Sequence, residues 1–91
     1  MAYWVYILQS LKDHSFYIGY SSDVDRRLVQ HNTSNSGYTA RKQPWVLVHS
    51  EMFISETEAI RRERFIKKQK DKAFIIRLIV RPLRSILECF V

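Results

Sequence analysis

The feature that most constrains the fold is a pair of strand-forming segments at the start of the chain. Residues Tyr3–Ser10 and Phe16–Tyr20 are rich in aromatic and β-branched side chains, and a short polar stretch separates them. Two such segments this close together predict an antiparallel β-hairpin. Since a chain of 91 residues has room for one core only, the later elements must pack on this hairpin.

The register of the hairpin brings two tyrosines to one face of the sheet. With an even-numbered loop between Ser10 and Ser15, Tyr6 lies opposite Gly19 and shares a face with Tyr17. The missing side chain of Gly19 then leaves space beside both phenols, and that space could receive a phosphate group. The alternative is that both tyrosines are packing residues, which is the commoner role of Tyr in a strand.

Helix and turn signals divide the middle of the chain. The Ser21–Asp23 cluster predicts a helix that runs to about Asn32, because its side-chain oxygens can accept hydrogen bonds from the free N–H groups of the first turn. Residues 33–37 have turn-forming chemistry, and the β-prone run Trp45–Phe53 predicts a third strand.

The second half of the chain is predicted to be helical. Ser55 and Glu58 have the spacing of a capping box, so a second helix begins there and continues to about Lys70. Asp71 is the expected cap of a third, apolar helix that Pro82 ends or kinks. The order β-β-α-β-α-α predicts an α+β fold, in which helices pack on a small, mainly antiparallel three-stranded sheet.

Composition indicates a single domain over residues 1–91. Hydrophobic residues make up 46% and charged residues 26%, which is typical of a compact domain. Cys89 is the only cysteine and the start is unlike a signal peptide, so we expect a cytoplasmic protein without an internal disulfide. Charged residues and a proline interrupt the apolar segment 73–91, which argues against a membrane span.

Positive charge is concentrated in one region of the chain. The net charge is +6, and residues 61–84 contain ten Lys or Arg against two acidic residues, Glu63 and Asp71. Such a region attracts phosphate backbones, although a solvated basic helix explains it equally well. The charge therefore suggests nucleic acid as a partner without requiring it.

The first predicted helix carries two basic residues on the stripe that should face the sheet. Val24, Arg27, Leu28 and His31 fall at positions i, i+3, i+4 and i+7. A phosphate would satisfy both the guanidinium and the imidazole. The alternative is that Arg27 extends to solvent and His31 interacts with the C-terminal helix dipole.

Glu63 stands among apolar residues on the inward stripe of the second predicted helix. Its neighbours on that stripe are Ala59, Ile60 and Ile66. Burying an unpaired carboxylate is costly, so Glu63 must hold a salt bridge, be protonated or bind a cation. For Glu63 taken alone, an ion pair with a nearby Arg or Lys is the simplest of these.

Taken together, these residues resemble the GIY-YIG nuclease family in order and spacing. The matching positions are Val5-Tyr6, Tyr17-Ile18-Gly19, residues 23–28, Arg27, His31-Asn32, Thr39, Pro44 and residues 58–63 with Glu63. The resemblance is closest to small UPF0213-like members, which are similar to the N-terminal nuclease domain of the excinuclease C subunit. It covers residues 3–72, and residues 73–91 are expected to form a C-terminal helix and tail. Trp4 and Val5 replace the glycine and isoleucine of the family.

The resemblance implies a metal-dependent endonuclease that hydrolyses nucleic-acid phosphodiester bonds, with DNA as the expected substrate in repair or recombination. Glu63 would hold a single Mg²⁺ or Mn²⁺ ion, weakly without substrate. Arg27 would stabilise the pentavalent transition state. Tyr6 would act as general base, Tyr17 would position water or phosphate, and His31 would complete the proton path. The two tyrosine roles could be exchanged.

Flanking phosphates would be bound by basic side chains. The expected contacts are Arg26, Arg41, Lys42, Arg61, Arg62, Lys67, Lys68 and Lys70. One alternative is a catalytically inactive nucleic-acid-binding module of the same fold. Another gives the apolar tail 73–91 a docking role, so the expected state is a monomer or a weak homodimer through that tail.

Overall fold

The computed structural model describes residues 2–79. The elements, in chain order, are β1 (Tyr3–Ser10), β2 (Phe16–Ser21), α1 (Val24–Thr33), α2 (Tyr38–Arg41), β3 (Trp45–Phe53), α3 (Glu56–Gln69) and α4 (72–79). The predicted α+β order is confirmed, with the one-turn helix α2 as an addition after Gly37, whose φ of 92° favours glycine. The predicted effect of Pro82 and the tail that follows it lie outside the described residues.

The sheet is antiparallel and has the strand order β2-β1-β3. On the central strand, Tyr6 pairs with Gly19 of β2 and with Ser50 of β3. The predicted hairpin register is therefore confirmed. Residues 5–8 of β1 are at most 1% exposed, because a central strand between two layers has no face open to solvent. Among residues 2–79, no helix is both long enough and apolar enough to cross a membrane.

Side-chain alternation along β1 divides the core into two layers. Val5 and Ile7 lie in a layer completed by helices α3 and α4. The other buried members of that layer are Ala59, Ile66 and Ile75. Tyr6 and Leu8 point to the opposite face, where they pack with Trp45 and with side chains of β2 and α1. Helix α1 thus lies on the tyrosine face of the sheet, and α3 lies on the other face.

Polar side chains begin three of the helices at the predicted positions. Asp23 and Ser55 accept hydrogen bonds from the backbone N–H three residues ahead, at 3.1 and 3.2 Å. Asp71 accepts from the N–H two residues ahead at 2.9 Å. Lys70 adopts a left-handed conformation with φ of 49° and ends α3. These caps set the lengths of the helices that carry the candidate site.

A pair of side-chain amides ties the end of α1 to the start of β3. The Asn32 Nδ2 donates to the Trp45 carbonyl at 2.9 Å, and the Asn32 Oδ1 accepts from the Trp45 N–H at 2.6 Å. The Gln43 Nε2 donates to the carbonyls of His31 and Ser34, both at 2.9 Å. These bonds satisfy backbone groups at the helix end and hold the turn that carries His31.

Replacing Asn32 with Ala is expected to lower the free energy of unfolding by about 2–4 kcal/mol, because the Trp45 N–H and carbonyl both lose their partner in a half-buried setting. Urea unfolding followed by tryptophan fluorescence measures this loss. Asn35→Ala, in the exposed turn, is the matched control and should change stability by less than about 0.5 kcal/mol. Equal stability of the two variants would contradict this role for Asn32.

Candidate active site

Two phenols lie side by side on the sheet face covered by α1. The ring centroids of Tyr6 and Tyr17 are 6.4 Å apart, and the rings are inclined by 26°. A Cβ added to Gly19 would come within 2.7 Å of the Tyr6 hydroxyl oxygen and 3.2 Å of the Tyr17 ring. The expectation of open space for a phosphate beside Gly19 is therefore wrong, because the Tyr6 phenol fills that space. Glycine allows the Tyr6 ring to cross the backbone of the edge strand β2.

His31, which lies on α1, packs against both tyrosines. It is 7% exposed, its Nε2 is 3.3 Å from the Tyr6 hydroxyl oxygen, and its ring centroid is 4.5 Å from that of Tyr17. Burial, and then the positive charge of Arg27, lower the pKa of His31 below its ordinary value of 6.5. The imidazole is therefore neutral at neutral pH and able to accept a proton from the phenol.

Arg27 lies half-buried beside both phenols rather than extending to solvent. Its interaction with the Tyr6 hydroxyl is the largest influence that raises the pKa of Arg27, and Tyr17 adds to it. The Arg27 Nη1 also donates to the Gln30 Oε1 at 3.0 Å. Burial raises the pKa of Tyr6 above 10.0 and outweighs the opposing effect of Arg27. At neutral pH the Tyr6 phenol therefore keeps its proton.

Glu63 approaches this group from the opposite layer of the fold. Its side chain is 14% exposed, and its Oε1 accepts from the Lys67 Nζ at 2.9 Å, which is the ion pair considered from the sequence. The negative charge of Glu63 contributes to the raised pKa of Tyr6, so the carboxylate lies near enough to act on the phenol. Helix α3, which carries Glu63, contacts all three strands of the sheet from the layer opposite the phenols.

In the candidate site, the largely buried carboxylate of Glu63 is the group that could bind a metal ion. Within residues 2–79, no group of three or more His, Cys, Asp or Glu side chains is arranged to hold one. Carboxylate oxygens suit hard divalent cations, and Mg²⁺ commonly keeps several waters and takes substrate phosphates as further ligands. The Glu63 carboxylate therefore suits a hard divalent cation such as Mg²⁺ or Mn²⁺.

The remaining predicted residues occupy three kinds of position. Val5 and Ile18 belong to the apolar layer under α3. Five of the predicted phosphate contacts are exposed and take no part in the ion pairs among residues 2–79, namely Arg26, Arg41, Arg61, Lys68 and Lys70. Lys42 forms an ion pair with Asp13, and Lys67 forms the pair with Glu63. These five exposed side chains can approach a phosphate backbone without breaking an ion pair of the free protein.

Arg62, another of the predicted phosphate contacts, forms an ion pair within the fold. Its Nε and Nη2 donate to the two carboxylate oxygens of Glu51 at 2.8 and 3.2 Å, and this joins α3 to β3. The Nε2 of His49 lies 2.7 Å from the Glu51 Oε2. Burial would raise the pKa of Glu51, but hydrogen bonds from Arg62 and His49 hold it below its usual value. The sequence analysis missed this network, although His49 and Glu51 are two apart on a strand and so share a face.

The lowered pKa of His31 makes stability depend on pH. Between the pKa of about 6.5 in the unfolded chain and the lower folded value, the unfolded state binds more protons. The free energy of unfolding should therefore fall as pH drops below about 6.5, by at most about 1.4 kcal/mol per pH unit for this group. His31→Gln should show a shallower fall when urea unfolding is compared between about pH 8 and about pH 5.

A second histidine supplies the control for this experiment. His14 is exposed and has a φ of 65°, a conformation that Asn tolerates well. His14→Asn should keep the pH dependence of the wild-type protein. If His31→Gln and the wild type lose stability in parallel as the pH falls, the buried histidine is not responsible for the effect.

A comparison with protein-family models identifies the family of this chain. Residues 2–75 match the family model described as the GIY-YIG catalytic domain. The chain belongs to the GIY-YIG family, which is a family of nucleases. The resemblance predicted from the sequence is thus confirmed.

The relatives are UPF0213 proteins of bacteria and archaea. This chain is 46% identical over 66 residues to the UPF0213 protein SH2523 of Staphylococcus haemolyticus, covering 71% of this chain and 79% of that protein. It is 40% identical over 75 residues to the UPF0213 protein VNG_2274C of Halobacterium salinarum, covering 77% and 96%. The solution NMR structure of the UPF0213 protein BH0048 from Bacillus halodurans has 36% identity and a TM-score of 0.50, covering 86% and 87%.

Proposed function

We propose that this protein is a metal-dependent endonuclease that hydrolyses phosphodiester bonds in DNA. What supports the proposal is that two phenols, an imidazole and a guanidinium lie together on one face of the sheet, and that the charge of Glu63 contributes to the raised pKa of Tyr6. Membership of a nuclease family supports it independently. We extend the proposal to a role in repair or recombination, where strand breaks and branched DNA are the substrates.

The chain's own residues have complementary tasks in this chemistry. Hydrolysis needs a deprotonated water and neutralisation of the charge that builds on the phosphoryl group. Tyr6 takes the proton of the water as it passes its own to the His31 Nε2, 3.3 Å away. The raised pKa of Tyr6 and the neutral state of His31 suit this relay, because no free phenolate accumulates. Tyr17 positions the water or the phosphate.

In the proposed reaction, Arg27 and Glu63 offset the negative charge that builds on the phosphoryl group. The planar guanidinium of Arg27 matches two phosphate oxygens at once and stabilises the negative charge of the transition state. Glu63 holds the divalent ion, which supplies Lewis-acid polarisation of the scissile phosphate when bound. Lys67 neutralises the Glu63 carboxylate in the free protein. The exposed basic side chains add affinity that does not depend on DNA sequence.

A nicking assay tests the proposed function. The protein is incubated with single-stranded, duplex and branched DNA, and with RNA of the same sequences, in Mg²⁺, in Mn²⁺ and in EDTA. We expect DNA products that require a divalent ion and increase with protein concentration. Binding that weakens steeply with salt, without cleavage of any substrate, would instead assign the chain to the inactive binding modules of this fold.

A further inference from the structure

A cleft of about 310 Å³ opens on the tyrosine face of the sheet. Its residues come from β1 and β3 on one side and from the start of α1 on the other. The side chains that matter here are Trp4, Leu47, Ser50, Ser22, Asp23 and Asp25. The cleft thus has an aromatic and aliphatic floor and one acidic wall, and none of these residues was predicted as part of a site.

The cleft adjoins the candidate active site. Trp4 lies two residues before Tyr6 on β1, and Ser50 is the β3 partner of Tyr6. Two residues of an antiparallel strand span about 7 Å, and both side chains point to the same face. A phosphate beside the phenols and a group beside Trp4 can therefore belong to the same nucleotide or to adjacent nucleotides.

The walls of the cleft favour a nucleobase over a phosphate. The half-exposed indole of Trp4 offers a flat surface of the kind on which bases stack. The carboxylates of Asp23 and Asp25 repel a phosphate and accept hydrogen bonds only. Adenine, cytosine and guanine carry amino groups with two N–H donors for carboxylates, whereas an unpaired thymine has only the N3–H, flanked by two carbonyl oxygens that the carboxylates repel.

The sheet around Trp4 is an open apolar surface in the part of the chain that the structure describes. Leu47 is 40% exposed and Met52 is 62% exposed on the same face of β3. A base in a duplex is stacked and paired, so it cannot lay its face on this surface or turn its edge to the carboxylates. The occupant must therefore be unpaired.

We propose that this cleft binds one unpaired nucleobase with an amino group, next to the phosphate that is cut. The substrate class rests on the proposed function, and the cleft adds selectivity to it. Single strands, flaps and frayed ends should bind better than a fully paired duplex of the same length. The acidic wall favours cytosine, adenine or guanine over thymine in the bound position.

Binding in EDTA tests this without cleavage. Trp4→Ala should weaken binding of short oligodeoxycytidine about 5- to 150-fold and leave duplex binding almost unchanged. Asp25→Asn should reduce the preference for oligodeoxycytidine over oligothymidine. Tyr38→Ala, an exposed aromatic residue outside the cleft, is the control and should leave the ratio of single-strand to duplex affinity unchanged.

Fluorescence of the wild-type protein provides a second measurement that needs no variant to fold. Oligodeoxycytidine should quench Trp4, while Trp45, which is 2% exposed, serves as an internal reference; Trp4→Phe should remove the quenching. Absence of quenching, or equal losses of single-strand and duplex affinity in Trp4→Ala, would overturn the inference. Concentration-dependent quenching without oligonucleotide would also overturn it by assigning the surface to a second copy.

These results are distinguishable from failure of the proposed function, because binding is measured without metal. A protein that binds unpaired bases through Trp4 but never cuts would retain the cleft assignment and lose the nuclease assignment. If the protein cuts single strands and duplexes equally well and Trp4→Ala binds as tightly as the wild type, the nuclease assignment stands and the cleft assignment fails.

Discussion

Replacing Glu63 with Gln should reduce metal-dependent cutting by about 10³-fold or more, because it removes the carboxylate proposed to hold the ion and with it several kcal/mol of transition-state stabilisation. Glutamine is close to glutamate in size, so the packing of α3 should persist. The exposed end of the Lys67 ion pair limits the change in the free energy of unfolding to about 1 kcal/mol. Single-turnover nicking and urea unfolding measure the two effects separately.

Two control variants separate the metal role of Glu63 from its ion pair. Glu58→Gln changes an exposed acid in the first turn of the same helix and should cut at the wild-type rate. Lys67→Gln removes the ion pair but keeps the carboxylate, so it should retain most of the activity. Wild-type cutting by Glu63→Gln, or an equally large loss in Lys67→Gln, would refute the metal assignment.

Replacing Tyr6 with Phe should slow cutting by about 10²- to 10⁴-fold, the usual contribution of a general base. The ring still packs against Gly19 and Tyr17, and only the hydroxyl that faces His31 is lost. Single-turnover nicking measures the rate. Tyr20→Phe is the matched control, since Tyr20 is a tyrosine of β2 packed in the opposite layer, and it should cut normally.

The pH dependence distinguishes the two tyrosines. At alkaline pH a growing fraction of Tyr6 is phenolate, which takes the proton of the water directly, so the wild-type rate should rise as the pH approaches the raised pKa of Tyr6. Tyr6→Phe should lose this rise, and Tyr17→Phe should keep it at a reduced rate. The opposite pattern would exchange the two roles, and full activity of Tyr6→Phe would exclude it as the base.

Much of the fold follows from local signals in the sequence. The parity of the hairpin loop placed Tyr6 opposite Gly19, because side chains alternate strictly along a strand. Asp23, Ser55 and Asp71 marked the helix starts, since their oxygens satisfy N–H groups that a helix leaves free. The residues of the candidate site were also recognisable, through their order and spacing.

The contacts that individual side chains make were harder to predict from the sequence. The sequence left the space at Gly19 open, but the Tyr6 ring fills it, because nothing local determines how far a ring extends over the neighbouring strand. The ion pair of Arg62 with Glu51 was not predicted, because it forms only when α3 packs on β3. The Trp4 cleft carries no motif, since it is formed by residues of three separate elements.

The sequence by itself determined the described elements other than the one-turn helix α2, the hairpin register and the set of reactive side chains, because these depend on alternation, capping and neighbours within a few residues. Only the tertiary structure decided that the charge of Glu63 contributes to the raised pKa of Tyr6, and that burial raises the pKa of Tyr6 while lowering that of His31. Burial and ion pairing depend on distances between elements. Those distances are fixed when helices α1 and α3 pack on opposite faces of the sheet.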